Sequence, residues 1–253
     1  MKGKKIFLIL VFGLAAFALG MFADVFLRAQ QSLAPAPERG FPLTIVNVNE
    51  AEGRLYEIKV SYPSFPSLPE SFDSLIRSFV EANIETFKVA ARDSMEARIA
   101  TLPEAEREKF VSEPFYLLVS WTPAQISDNY VSFVVRVYAY EGGANGREEL
   151  ATFNYDVKKR KEVTLRDLFP EEGDGYLEKV SKVSRESLLG VLGFGGESEF
   201  ALGMLEEGTK PTEENFRHFT FTDDAVIIYF EKYRVAPGSF GEQRVAIPRV
   251  IVR

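Results

Sequence analysis

The sequence predicts an α+β fold, mainly antiparallel sheet with packed helices, preceded by one N-terminal transmembrane helix. Three observations lead there. Asn129 to Val157 holds two runs of alternating apolar residues on either side of a glycine-rich turn. Pro69 to Ala100 carries apolar residues at three- and four-residue spacings. Lys2, Lys4 and Lys5 precede an apolar run from Ile6 to about Ala23, close to the length that crosses a bilayer's hydrocarbon core.

The basic residues before that run place the N-terminus inside and the body outside. The alternative is a cleaved signal peptide, with Ala16-Phe17-Ala18 as a small-x-small site. Val25 and Phe26 prolong the apolar segment beyond it and favour an uncleaved anchor. The chain then divides into a short cytoplasmic tail at 1–5, an anchor at 6–27, a linker at 28–40 and a body at 41–253. QQSLAPAPERG within the linker reads as a semi-extended spacer. The body is one domain or two sub-lobes, 41–113 and 114–253.

In the body, Leu43–Asn49 and Leu55–Tyr62 are strand candidates, the second with Tyr56, Ile58, Val60 and Tyr62 on one face. Pro63, Pro66 and Pro69 end it and open a helix with Glu70 and Asp73 in the first turn. Phe72, Ile76, Phe79, Val80, Ile84, Phe87 and Ala91 form its buried stripe. A short helix at Glu104–Phe110 and a strand at Phe115–Trp121 follow. In the hairpin, Val131, Phe133, Val135, Val137 and Ala139 share a face with Ala151, Phe153, Tyr155 and Val157. Further on come a helical turn at Thr164–Phe169 and helices at Gly175–Leu189 and Ser198–Glu206. Strands at Ala225–Phe230 and Arg244–Val252 complete the pattern.

Composition sets the outer bounds. The chain has 253 residues, 46% apolar and 13% aromatic, enough to bury a large core. A net charge of −7 lacks the basic stripe that nucleic acid requires, so no nucleic-acid partner is expected. There is no Cys, which removes disulfides, thiol nucleophiles and cysteine metal sites. His218 is the single histidine, so a zinc site would need several carboxylates. No P-loop, dinucleotide fingerprint or Gly-x-Ser-x-Gly elbow occurs. No cofactor, no metal and no catalytic residue are assigned.

The candidate binding residues fall in two groups. Tyr138 and Tyr140 lie on the polar face of their strand beside Arg136, and Gly142, Gly143 and Asn145 make the turn. The tyrosines suit stacking on a sugar ring or anchoring a protein, and equally suit cross-strand packing. The glycines and Asn145-Gly146 suit exposed backbone amides, and equally an ordinary hairpin turn. Tyr233, Pro237 and Phe240 form an aromatic-proline loop, either a binding edge or a hairpin closure.

Several short motifs resemble the RsiV-like extracytoplasmic domain. They are Tyr138-Ala139-Tyr140-Glu141-Gly142-Gly143-Ala144-Asn145-Gly146, Phe153-Asn154-Tyr155-Asp156, Thr164-Leu165-Arg166-Asp167-Leu168-Phe169, and Tyr229 through Pro237. The resemblance covers roughly Tyr56 to Pro248. It implies an α+β domain outside a bacterial membrane. The family occurs as the lysozyme-binding sensor of anti-sigma factors, ahead of the catalytic domain in PdaC-type peptidoglycan deacetylases, and as a sole domain. This chain holds Asn145 where the family pattern commonly has His, so an imidazole role there does not carry over. Nor does the sigma-binding role, whose cytoplasmic segment has no counterpart.

Three functions are expected, in order. The first is a membrane-anchored, non-enzymatic binding module that engages cell-wall glycan or a secreted protein such as lysozyme. The second is an envelope hydrolase acting on wall polysaccharide through carboxylates. The third is a self-associating structural protein of the envelope.

Overall fold

The computed structural model describes residues 41–107, 110, 113–142, 145–192 and 199–249. The proposed tail, anchor and linker lie outside the described residues. Among the described residues, no helix is long and apolar enough to cross a membrane.

A six-stranded sheet runs in the order β1-β2-β3-β4-β5-β6. Its strands are β1 (Thr44–Glu52), β2 (Tyr56–Ser64), β3 (Phe115–Ile126), β4 (Tyr130–Tyr140), β5 (Arg147–Asp156) and β6 (Lys161–Glu162). All neighbours are antiparallel except β2 and β3, which run parallel. The sheet is therefore mixed, because α1 (Glu70–Ala100), followed by the one-turn α2 (Glu104–Arg107), carries the chain back to the start of the sheet between those two strands. The α+β class holds.

The alternation of β2 does what its pattern requires. Tyr56, Ile58, Val60 and Tyr62 are buried against α1, whose inward stripe is Phe72, Ile76, Val80, Asn83, Ile84, Phe87 and Ala91. No side chain caps α1. Instead Asp73 in its first turn accepts hydrogen bonds from the Ser64 hydroxyl and the Phe65 N–H, both at 2.8 Å, and pins the strand end to the helix start. Aromatic rings fill the centre of this core. Phe133 stacks on Phe153 at 5.2 Å, and Phe72 meets Tyr155 at 4.8 Å.

Pro63 does not end its strand, and the strand expected to finish at Trp121 runs on to Ile126. β2 passes through Pro63, which faces Ile45 of the edge strand β1. β3 passes through Pro123, where the register shifts before Gln125.

A second apolar core follows. It joins α3 (Tyr176–Leu192) and α4 (Glu199–Gly208) to a three-stranded antiparallel sheet, β7 (Phe219–Phe221), β8 (Ala225–Phe230) and β9 (Gln243–Pro248). Tyr176, Val180, Leu188 and Leu205 from the helices pack with Phe221, Val226, Ile228, Val245 and Ile247. Thr164 to Leu168 enters this core through a capping box. Asp167 accepts from the Thr164 N–H and hydroxyl at 2.9 Å, and the Thr164 hydroxyl accepts the Asp167 N–H at 3.3 Å.

Side chains of β4 and β5 seat the small sheet on the face of the large sheet turned away from α1. Asn154 donates to the Phe219 carbonyl at 2.8 Å and accepts from the Ser132 hydroxyl at 2.7 Å. Ser132 accepts the Phe221 N–H at 2.9 Å, and Thr152 accepts the Phe219 N–H at 3.2 Å. The short strand β7 thus has its backbone groups satisfied without a ladder partner on that side.

Candidate functional site

The small sheet covers the large sheet's second face around Ser132 and Asn154. Toward the Gly-rich turn, that face carries Tyr116, Tyr138 and Tyr140. Their alternation puts all three on the same side of β3 and β4, and register places Tyr116 opposite Tyr140. Tyr116 stacks on Tyr138 at 5.7 Å and on Tyr140 at 5.3 Å, all three half-buried. Burial and the Tyr138 hydroxyl push the Tyr116 phenol well above its ordinary value, so it stays protonated. Tyr138 and Tyr140 are therefore brought together as expected, with Tyr116 as an unforeseen third member.

The turn supports this cluster from below. Gly142 has φ 98°, and a Cβ there would stand 2.7 Å from the Arg98 guanidinium. At Gly146 a Cβ would stand 2.4 Å from the Tyr138 ring, so only glycine lets the ring lie on the backbone. Asn145 is exposed, and Gly143 lies outside the described residues. On the helix side of the turn, Arg147 gathers Glu149 at 2.9 Å, Glu141 at 3.4 Å and the Asn83 side-chain carbonyl at 3.1 Å. Two carboxylates and one guanidinium meet there.

The loop after β8 forms the second group. Glu231 to Arg234 is a tight turn closed by Arg234 N–H to the Glu231 carbonyl at 2.9 Å. Its third position, Tyr233, has φ 69°. A tyrosine in that region costs on the order of 1–3 kcal/mol, and such outliers cluster at functional sites. Its ring rests on Gly238, where a Cβ would come within 2.2 Å, yet the residue stays 59% exposed. Pro237 is half-buried and precedes a one-turn 3₁₀ helix that ends at Phe240, itself 43% exposed.

Tyr233 is one wall of an open cleft of about 300 Å³, with Glu207, Lys210, Thr212, Asn215 and Arg234 around it. Gly208 permits the close approach. A Cβ there would fall 2.2 Å from the Arg234 carbonyl, so α4 ends hard against the loop. Asn215 fixes the floor, donating to the carbonyls of Glu207 at 2.8 Å and Lys210 at 3.0 Å.

Two charge pairs tie the tyrosine cluster to this loop. Lys232 reaches Glu148 at 3.5 Å, and Glu148 stands opposite Tyr138 in the ladder. Arg136 forks onto Glu242 with both contacts at 2.9 Å and lies over the Tyr229 ring at 5.4 Å. Burial opposes the Arg136 charge, but Glu242 outweighs it and holds the guanidinium above its ordinary value.

His218 sits in a charged cluster that shares Glu231 with the Tyr233 turn. Its Nε2 accepts the Arg217 Nε–H at 2.8 Å, and Glu231 stands 3.7 Å off. Burial pushes the imidazole below its ordinary value; Glu231 opposes that and Arg217 reinforces it. A neutral ring whose lone pair is already engaged is a poor general base until Arg217 moves. Among the described residues no group of three His, Cys, Asp or Glu stands close enough to hold a metal ion.

Fold and surface together define an α+β module with an aromatic cluster at one sheet end and a small aromatic-walled cleft beside it. Two solved structures share the fold: a DUF3298 family member from Bacteroides fragilis NCTC 9343 (TM-score 0.53, 17% identity, 83% of this chain and 92% of that one) and a DUF3298 family protein from Pseudomonas aeruginosa PAO1 (TM-score 0.54, 18% identity, 83% and 92%). Residues 166–249 match the family described as protein of unknown function DUF3298. Residues 49–148 match the family described as deacetylase PdaC. The border between these matches falls near the border between the two cores.

Among curated proteins, the chain is 30% identical over 210 residues to the peptidoglycan-N-acetylmuramic acid deacetylase PdaC of Bacillus subtilis (strain 168), across 83% of this chain and 40% of that protein. It is 26% identical over 118 residues to an esterase of Mycobacterium tuberculosis, across 47% of this chain and 48% of that protein. The chain thus spans under half the length of either relative. These matches support a PdaC-type relationship. It overturns the expectation of a non-enzymatic binding module, because the kinship found is with a cell-wall enzyme. That expectation rested on the anchor, the short tether, the family resemblance and the lack of a catalytic set in the sequence, and groups assembled from distant residues leave no linear motif.

Proposed function

We propose that this chain acts in the cell envelope as an enzyme that hydrolyses acyl groups on peptidoglycan. The observation that supports it most is the 30% identity with a peptidoglycan deacetylase over 83% of the chain. The second relative is an esterase. Amide and ester cleavage share one step, attack of water on an acyl carbonyl, so both relatives point to one reaction class. Such a step needs a base for the water and a cation or N–H donors for the oxyanion. Glu141 and Glu149 beside Arg147 form one described cluster that offers both.

Peptidoglycan lies outside the cytoplasmic membrane. The lysines and apolar run at the start of the chain, the short linker, and the resemblance to RsiV-like extracytoplasmic domains support a body held there by an anchor. Full-length protein incubated with purified sacculi tests the reading by mass spectrometry of the released muropeptides. Loss of acetyl groups that disappears in Glu149→Gln supports it. Fully acetylated muropeptides at every enzyme concentration would overturn it.

A further inference from the structure

We infer that the outer edge of β1 is a docking site for the β1 strand of a second copy of this chain, paired antiparallel about a two-fold axis so that the two six-stranded sheets join into one. Among the described residues β1 is hydrogen-bonded on one side only, to β2. Its outer row of N–H and C=O groups is a template for another strand, and proteins blunt such edges with shortness, proline, lysine or a bulge. The other described edges carry such devices. β6 is two charged residues long, β9 holds Arg244 and ends at Pro248, and β7 is seated on the large sheet by Ser132, Thr152 and Asn154. β1 has nine residues with no Pro, Lys or Arg, and its register with β2 runs without a shift. Its two carboxylates are turned away from the edge. Glu50 takes the Tyr56 hydroxyl at 2.8 Å and Lys88 of α1 at 2.9 Å, and Glu52 takes Arg92 of α1 at 3.0 Å. Thr44 to Asn49 is uncharged.

That stretch is complementary to itself. A two-fold axis through Asn47 sets Val46 opposite Val48 of the other copy, Ile45 opposite Asn49 and Thr44 opposite Glu50. Val46 and Val48 are half-buried and pack against the first core, so the other copy's valines complete their burial. Ile45, on the opposite face, is 43% exposed. The two Glu50 positions stand six residues apart along the paired strands, about 20 Å, well beyond the screening length of about 8 Å at physiological salt. The chain's own linker is a poor occupant of this edge, because Pro35 and Pro37 have no N–H to give to a ladder. A foreign strand has no use for the symmetry of Val46-Asn47-Val48. The contact is small, so the dimer forms and dissociates with concentration.

Cysteine cross-linking of the full-length chain in detergent tests this cleanly, because the chain has no Cys of its own. Asn47→Cys puts a thiol on the axis, where directly opposed residues have Cβ atoms about 4.5–5.5 Å apart, within reach of a disulfide. Lys59→Cys lies one strand inward on β2, at least about 14 Å from its counterpart, and cannot bridge. Mild oxidation is expected to give a covalent dimer of Asn47→Cys and about tenfold less of Lys59→Cys. Sedimentation of the native chain is expected to show a dimer that grows with protein concentration. Asn47→Lys sets two ammonium groups together on the axis and is expected to raise the dissociation constant about tenfold. Asn47 is exposed, so both substitutions leave the core intact. A monomer at every concentration, or equal cross-linking of the two cysteine variants, overturns the pairing. So does a dimer as tight in Asn47→Lys as in the native chain, which would place the association elsewhere.

Discussion

Arg136 of β4 and Glu242 before β9 meet through two hydrogen bonds of 2.9 Å across 106 residues of chain. The pair is largely shielded and joins the β4–β5 hairpin to the C-terminal loop. Removing one partner strands the other's charge in a part-buried setting. Arg136→Ala and Glu242→Gln are each expected to cost about 1.5–3 kcal/mol in urea unfolding, the usual range for a hydrogen bond to a charged group. The double mutant should cost less than the sum. Additive effects would mean that the pair does not hold the loop.

The Asn154 side chain links Ser132 of β4 to the Phe219 carbonyl of β7. Asn154→Ala leaves the Phe219 carbonyl without its donor and the Ser132 hydroxyl without its acceptor. A loss of about 1–3 kcal/mol is expected for burying groups unpaired. Amide exchange should accelerate in β7 to β9 before it does in β1 and β2. Uniform acceleration would contradict a local role.

Gly146 and Gly190 give opposite predictions for the same substitution. Gly146→Ala drives a methyl into the Tyr138 ring and should cost about 1–3 kcal/mol while altering near-ultraviolet dichroism of the tyrosines. Gly190→Ala, inside α3 with nothing within 4 Å of its Cβ, should gain about 0.5–1 kcal/mol. A neutral Gly146→Ala would show that the ring can move aside freely.

Asp167 sets an acid limit on the second core. The Thr164 N–H and the Lys161 ammonium hold its carboxyl down from 3.8 to about 2. A depressed folded value means that the stabilisation is complete above the unfolded value near pH 4 and vanishes as pH falls through about 2. Stability followed from pH 5 to 2 should therefore decline less steeply in Asp167→Asn than in the native chain. Parallel curves would remove Asp167 as a cause.

The period-two burial of β2 and the stripe of α1 were legible, because each must bury one face, whereas β4 is buried without a break from Val131 to Val135 where the small sheet covers its second face. The parallel pairing of β2 with β3 was not, since both strands carry the same alternation in either direction. β7 escaped notice because three residues show no period and its partners are Ser132, Thr152 and Asn154 from far along the chain. Tyr138 and Tyr140 were visible as a pair, but Tyr116 joins them only through register. The Tyr233 cleft was half legible. The aromatic loop stands out in the sequence, while the positive φ and the approach of Gly208 are tertiary facts.

Kinship with a peptidoglycan deacetylase is the centre of this account, and acetate is its product. The most direct measurement is acetate released over time from purified sacculi by the full-length chain, against a blank without protein. The account predicts release proportional to protein concentration, at least tenfold lower in Glu149→Gln. Acetate at the level of the blank, from protein that remains folded, would contradict it.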